Sequence, residues 1–362
     1  APGETEAKTG FPLVGKSGQL LRRMIKELGL DDELCYYTNV CICHPEGNKR
    51  PTAEMVSICY DGLTEEIESV CPKLIVTLGN VSAHAVGQYD RGVMSIRGMY
   101  RELQLESGTK VGIIPTYHPA AVLRSPDLFR DLEQDLTRAI DIAVNNKAPI
   151  VPPPTSNYRV ITAQRELDRL FLDMESARFL AVDLETISRD MFKGRILDFG
   201  VSWAREQAAS VDWQLFEEHL RNAKRLRAIL ADRPCSFQAA SFDVVWLQSR
   251  GYYPNLVFDT EIAHWMVDER VGGHNLESMA TQYYSAPSYK SAFRRKYGIG
   301  AYVNNETEFA ELWGKIPDEP RRIYNATDAD YTYRLTEDLS AELKTQKMLP
   351  LMKILIRSTL LY

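Results

Sequence analysis

Between Ala148 and Ser156 the chain reads Ala-Pro-Ile-Val-Pro-Pro-Pro-Thr-Ser. Proline fixes φ and removes an amide donor, so neither a helix interior nor a central strand runs through such a stretch. An extended spacer is expected instead. A chain of 362 residues also exceeds what one hydrophobic core usually organises. Two domains are therefore expected, residues 1–147 and 158–345, joined by a linker at 148–157. Both ends break a pattern. Ala1-Pro2-Gly3 opens in a loop with no strand before it, and Leu360-Leu361-Tyr362 stops inside an apolar helical pattern. A fragment of a longer protein is expected.

The apolar share of 44% and charged share of 25% are those of a soluble globular protein. No apolar run reaches the roughly 18 residues that a membrane span needs, and no secretory signal opens the chain. A cytoplasmic protein without membrane partners is expected. The six cysteines then read as free thiols or metal ligands rather than disulfides. The net charge of −6 argues mildly against broad, nonspecific nucleic-acid binding, although clustered carboxylates at a metal site would have the same effect. The basic clusters Arg22-Arg23, Lys49-Arg50, Arg294-Arg295-Lys296 and Arg321-Arg322 read as solvated faces.

The first part alternates helical and strand patterns. Helices are expected over Gln19–Leu28 and Leu128–Val144, and strands over Leu74–Leu78 and Val111–Pro115. This is an α/β order with a largely parallel sheet, and His118 falls in a loop beyond a strand C-terminus, where such sheets hold ligands. In the second part, Tyr158–Ile161, Phe179–Leu184 and Ile196–Trp203 read as strands, the last two as neighbours. Helices are expected from Ala163 to Asp173 with Thr162 as cap, and over Trp213–Asp232, Phe242–Ser249, Asp259–Asp268 and Asn275–Tyr283. A last helix runs from Pro317 to the end, with an interruption at Pro350.

Five residues in this second part suggest metal chemistry. Asp183 and Glu185 are two apart, which puts both on one face of a strand. Tyr324 and Asp328 are four apart, which puts both on one face of a helix. Asp243 opens an amphipathic helix after a small-residue turn. Four carboxylates aimed at one point suit hard divalent cations. A pair of such ions about 3.5–4 Å apart activates water and stabilises the leaving oxygen of a phosphodiester. A phenol orients water without competing as a ligand. Taken singly, Asp-x-Glu is more often surface decoration; the three segments together carry the reading.

Phe179-Leu180-Ala181-Val182-Asp183-Leu184-Glu185-Thr186, Ser241-Phe242-Asp243 and Tyr324-Asn325-Ala326-Thr327-Asp328 resemble the three exonuclease motifs of family A (polymerase I-like) DNA polymerases. Phe258-Asp259-Thr260 and His274-Asn275-Leu276 fit between the second and third. The resemblance spans about residues 158–345. It implies an RNase H-like α/β fold and a 3′→5′ exonuclease of the DEDD class, in its tyrosine variety. By it, Asp183, Glu185, Asp243 and Asp328 hold two Mg²⁺ or Mn²⁺ ions, Tyr324 orients the water, and the substrate is a single-stranded or frayed 3′ end of DNA. The family usually has Asn four residues before the second-motif Asp; this chain has Ala239. Residues 346–362 look like the start of a truncated polymerase domain, which implies a polymerase domain in the same full-length chain and a bacterial cell or phage-infected host.

In the first part, Ala1–Glu6, Gly10–Gly18, Thr38-Asn39-Val40, Lys73–Gly79 and Pro115–Arg124 resemble family 4 uracil-DNA glycosylases and their phage polymerase-associated relatives, over about residues 1–145. The resemblance implies a three-layer α/β domain that draws uracil out of DNA into a pocket. Gly3 and Leu13 would line that pocket, Asn39 would read the base, His118 would face its carbonyl, and Ala120 to Arg124 would enter the duplex. Leu13 stands where the family typically has a stacking Phe. An acidic residue expected just before Ala1 is absent. Cys43 and Cys59 stand where the family has two of four ligands of a 4Fe-4S cluster, the other two lying before residue 1 in a full-length protein. Two further readings are a binding module that recognises uracil or DNA without cutting, and an RNA-processing DEDD exonuclease.

Overall fold

A computed structural model describes residues 1–89, 92–149, 157–188, 190–269, 273–286, 289–299 and 312–359. Most of the linker at 148–157 and the apolar end at 360–362 lie outside the described residues. The chain forms two compact units, one built mainly from residues up to 152 and one mainly from residues after it.

In the first unit, β1 (Leu74–Leu78) pairs in parallel with β3 (Lys110–Thr116), and β2 (Arg101–Gln104) pairs antiparallel with β3. The sheet is therefore mixed rather than largely parallel. The sequence of β2, Arg-Glu-Leu-Gln, has no apolar run, and most of it is exposed, so its pattern is not that of a core strand. The helix Lys16–Glu27 buries Leu20, Leu21, Met24 and Ile25, spaced to share one face. They pack with Val122, Leu132 and Leu136. The last two belong to the helix Phe129–Ala143. The loop before the first of these helices runs unusually close to it. A Cβ on Gly18 would meet the Leu13 carbonyl oxygen at 1.8 Å, so only glycine fits there.

The second unit carries a six-stranded sheet in the order β4-β7-β6-β5-β8-β9. These are Arg159–Ile161, Gln207–Asp212, Ile196–Ala204, Leu180–Thr186, Pro234–Phe237 and Asn255–Asp259 respectively. β5 is interior, antiparallel to β6 and parallel to β8. Across it lies the 28-residue helix Asp318–Thr345, in which every residue from Ala329 to Thr336 is buried. Because the helix Thr260–Val267 also packs against it, no single apolar stripe marks its sequence.

Polar side chains tie that helix to the sheet. Arg321 and Arg322, expected as a solvated face, are each only 5% exposed. Both pair with Asp198 of β6, which is fully buried, and Arg322 also reaches Asp212 at 2.7 Å. A buried carboxylate needs such partners, and the sequence pattern does not reveal them. Asp330 accepts from Tyr158, Arg334 and the Glu206 amide, each at 2.8 Å. Helix boundaries also differ from those expected. The helix expected from Ala163 starts at Gln164 with no side-chain cap, so Thr162 does not cap it. Trp213–Asp232 breaks into Gln214–Glu217 and Leu220–Asp232. The last helix stops at Thr345 and restarts at Leu349. The turn between has Lys347 at φ 60°, so the chain breaks before Pro350, and the proline sits in the first turn of the new helix, where its missing amide costs nothing.

Gly200 of β6 lies in register with Asp183 of β5. A Cβ there would meet the Asn325 side chain at 2.7–2.8 Å. The long helix approaches the sheet this closely only because that position has no side chain. Gly200→Ala is expected to lower unfolding stability by about 1–3 kcal/mol through overpacking. Denaturant titration of tryptophan fluorescence would check this, and an unchanged midpoint would contradict it.

Candidate active site

β5 alternates its side chains, so Asp183 and Glu185 share a face while Val182 and Leu184 are buried on the other. Asp328 reaches that face from the long helix. Donor oxygens of Asp183, Glu185 and Asp328 all lie within 4.8 Å of one another. Asp243 is the fourth residue of the helix Ala240–Ser249, and its Oδ1 accepts the Leu184 amide at 3.0 Å. It is thereby fixed to the strand between the two acids. Tyr324 is one helical turn before Asp328, its ring stacked on Phe293 at 4.6 Å and edge-on to Trp313.

Burial and mutual repulsion dominate the electrostatics. Burial first, then the charges of Asp328 and Asp243, raise the Asp183 carboxyl well above its usual range. Glu185 is raised likewise by burial, then by Asp183 and Asp328. Asp243 is pushed up to about 8, chiefly by burial. Carboxyls so perturbed need protons or cations, and three convergent oxygen donors suit a hard divalent ion. The residues present therefore fit the metal that the motifs imply.

Supporting residues came from outside the expected set. Asn325 donates Nδ2 to Asp183 Oδ2 at 2.7 Å, and Ser210 donates its hydroxyl to Asn325 Oδ1 at 2.6 Å. Asn325 stands between Tyr324 and Asp328, so its spacing could have flagged it. Tyr289 and Lys290 both bond Asp328, and they lie in a stretch without any pattern pointing to the site. Asp259 accepts the Ala240, Glu261 and Ile262 amides, which joins the end of β9 to the start of the Asp243 helix. Ala239, just before that helix, has φ 55° and ψ 57°. This left-handed conformation is tolerated by Gly and Asn and is strained for Ala, so the departure at Ala239 falls where Asn would cost less than Ala.

In the first unit, a cavity of about 1090 Å³ is lined by Gly3, Leu13, Asn39, His118 and Arg124 among others. His118 follows β3 and its Nδ1 accepts the Ala120 amide at 3.1 Å. That bond leaves the proton of a neutral ring on Nε2. Burial is the first cause of its lowered pKa, which favours the neutral ring. Behind it, Thr116 donates its hydroxyl to buried Asp135 at 2.6 Å, and Arg97 holds both Asp135 oxygens at 3.1 Å. Glu6 accepts the Gly15 amide at 2.8 Å, which fixes the loop that carries Leu13. Leu123, in the expected wedge segment, is 51% exposed. Cys43 is exposed and Cys59 half-buried. Among the described residues the acidic group is the one set of three or more convergent His, Cys, Asp or Glu donors. The thiols here thus do not by themselves form the four-thiolate nest that an iron–sulfur cluster needs.

Residues 158–344 match the family model described as 3′-5′ exonuclease, and residues 1–140 match that of the uracil DNA glycosylase superfamily. A type-4 uracil-DNA glycosylase from Sulfurisphaera tokodaii is 37% identical over 157 residues, covering 41% of this chain and 69% of that protein. The chain belongs to both families. A DNA polymerase of Bacillus phage SP01 is 24% identical over 358 residues, covering 90% of this chain and 37% of the polymerase. DNA polymerase I of Borreliella burgdorferi is 24% identical over 201 residues, covering 54% of this chain and 21% of that protein. The chain thus joins a uracil-DNA glycosylase-like domain to a DEDD-type 3′→5′ exonuclease domain with an RNase H-like fold. It has DNA polymerases among its relatives, and both domains imply DNA binding. The exonuclease family implies divalent metal ions. No described helix is long and apolar enough to cross a membrane.

Two outcomes are expected. Folding raises the carboxyl pKa of Asp243 from the usual 3.8 to about 8, so between those values the folded state holds more protons than the unfolded one. Metal-free protein should therefore lose stability as pH rises from about 4 to 8. Melting curves in chelator would show the fall, and excess Mg²⁺ should flatten it; a metal-independent slope would contradict this. Separately, Ala239→Gly should raise stability by about 0.5–1 kcal/mol by relieving the left-handed strain, measurable by the same melts.

Proposed function

We propose that the second domain removes 3′-terminal nucleotides from single-stranded or frayed DNA, proofreading for a polymerase domain in the same full-length protein. The convergence of Asp183, Glu185 and Asp328 within 4.8 Å carries this reading. Together with Asp243 they would hold Mg²⁺ or Mn²⁺, which when bound supplies an activated water and stabilises the leaving oxygen. Asn325 keeps Asp183 aimed at the site. Tyr324, stacked on Phe293 and edge-on to Trp313, would orient the attacking water through its hydroxyl. Phe242, 37% exposed beside Asp243, offers a face for the terminal base. An RNA substrate is the competing reading; the polymerase relatives support DNA. Replacing both Asp183 and Glu185 by Ala should abolish digestion of a 3′-labelled DNA strand, and a matched RNA strand should be digested more slowly by the unaltered chain. Undiminished digestion by the double variant would refute the assignment.

For the first domain we infer recognition of uracil drawn into the cavity lined by Asn39 and His118. Neutral His118, with Nδ1 engaged by the Ala120 amide, would donate Nε2–H to a base carbonyl. Leu13 supplies no aromatic platform, which is worth about 1–3 kcal/mol per stacked base. That favours binding over efficient excision. Alkali-sensitive breaks in a uracil-containing strand treated with the full-length protein would establish excision instead.

A further inference from the structure

Asp328 is held at both oxygens. Tyr289 donates its hydroxyl to Oδ1 at 2.6 Å, and Lys290 donates its ammonium to Oδ2 at 2.6 Å. Both donors come from the first turn of the helix Tyr289–Lys296. The carboxylate is almost wholly buried, and the lysine side chain is 22% exposed. The ammonium also lies 5.5 Å from the Tyr324 ring centroid.

Three carboxylates this close, in a buried setting, repel one another unless a cation lies among them. Among the described residues, Lys290 is the one cation ion-paired with any of Asp183, Glu185, Asp243 and Asp328. Tyr289 is different in kind. Its hydroxyl is a neutral donor and can hold Asp328 whether or not a metal is present. The ammonium cannot share Oδ2 with a divalent ion at no cost, because two cations on one oxygen repel.

We infer that Lys290 is the internal counter-ion of the metal-free site and that its ammonium competes with the divalent cation for Asp328 Oδ2. The inference rests on the metal-site reading above. It makes Lys290 a positioning residue that acts through Asp328. Its removal has a sign that a simple prop would not give. A prop, when lost, loosens the site and weakens metal binding. A competitor, when lost, leaves a more negative site that binds metal more tightly.

The test titrates Mn²⁺ alone, without DNA, into the full chain by calorimetry at fixed pH. Lys290→Met should bind Mn²⁺ about tenfold more tightly than the unaltered protein, and Lys290→Arg, which keeps the charge, should bind as the unaltered protein does. Metal-free Lys290→Met should melt at a lower temperature and gain more from Mn²⁺. Should it fail to fold without metal, Lys290→Gln keeps a neutral donor and should show the same tightening. Equal or weaker Mn²⁺ binding by a folded neutral variant would overturn the inference while leaving the metal site standing. Asp183→Asn separates the two ideas, since it should weaken Mn²⁺ binding severely. If the unaltered chain binds no Mn²⁺, or Asp183→Asn binds it equally well, the metal-site reading falls and this inference with it.

Discussion

Mutual repulsion among Asp183, Glu185 and Asp328 is the constraint around which the exonuclease domain is built. Their donor oxygens lie within 4.8 Å of one another in a setting that raises at least two of the carboxyls well above their usual range. Such a group persists only where the surrounding fold holds it rigidly. An interior strand provides the first two acids, and a long buried helix provides the third. That helix is anchored away from the site by Asp198 with Arg321 and Arg322, and by Asp330 with Tyr158 and Arg334. Removing one partner of such a buried pair leaves an uncompensated charge, so the anchors and the site depend on each other. Gly200 sets the distance between helix and sheet, which lets Asn325 reach Asp183.

Much of this was legible in the sequence because the site uses short-range periodicities. Two residues apart on a strand and four apart on a helix each fix a shared face, so Asp183 with Glu185 and Tyr324 with Asp328 could be paired without any tertiary information. Leu74–Leu78, a continuous apolar run closed by Gly79, is a strand with those bounds. What escaped was what periodicity cannot encode. The weakly apolar strands β2 and β7 gain their stability from neighbours rather than from their own pattern. Arg321 and Arg322 look like surface charge until Asp198 is seen facing them. Lys290 is distant from every motif, and only the tertiary fold brings it onto Asp328. The helix break at Lys347 came from a left-handed residue rather than from the proline beside it.

On the functions proposed above, the two domains would handle DNA by different physics. In the glycosylase-like domain the groups proposed to act are neutral: a histidine whose charged form is disfavoured by burial, an asparagine and backbone amides around the cavity proposed to take the base. In the exonuclease domain they are charged and demand a counter-ion. The departures from the family patterns follow the same division. Leu13 would alter the surface offered to a base in the proposed pocket, whereas Ala239 alters backbone strain next to the carboxylates and leaves every one of them in place.

The most direct measurement is anomalous diffraction from crystals of the chain grown with Mn²⁺. A strong peak is expected among the carboxylates of Asp183, Glu185 and Asp328. An ordered site at high Mn²⁺ concentration without a peak there would contradict it.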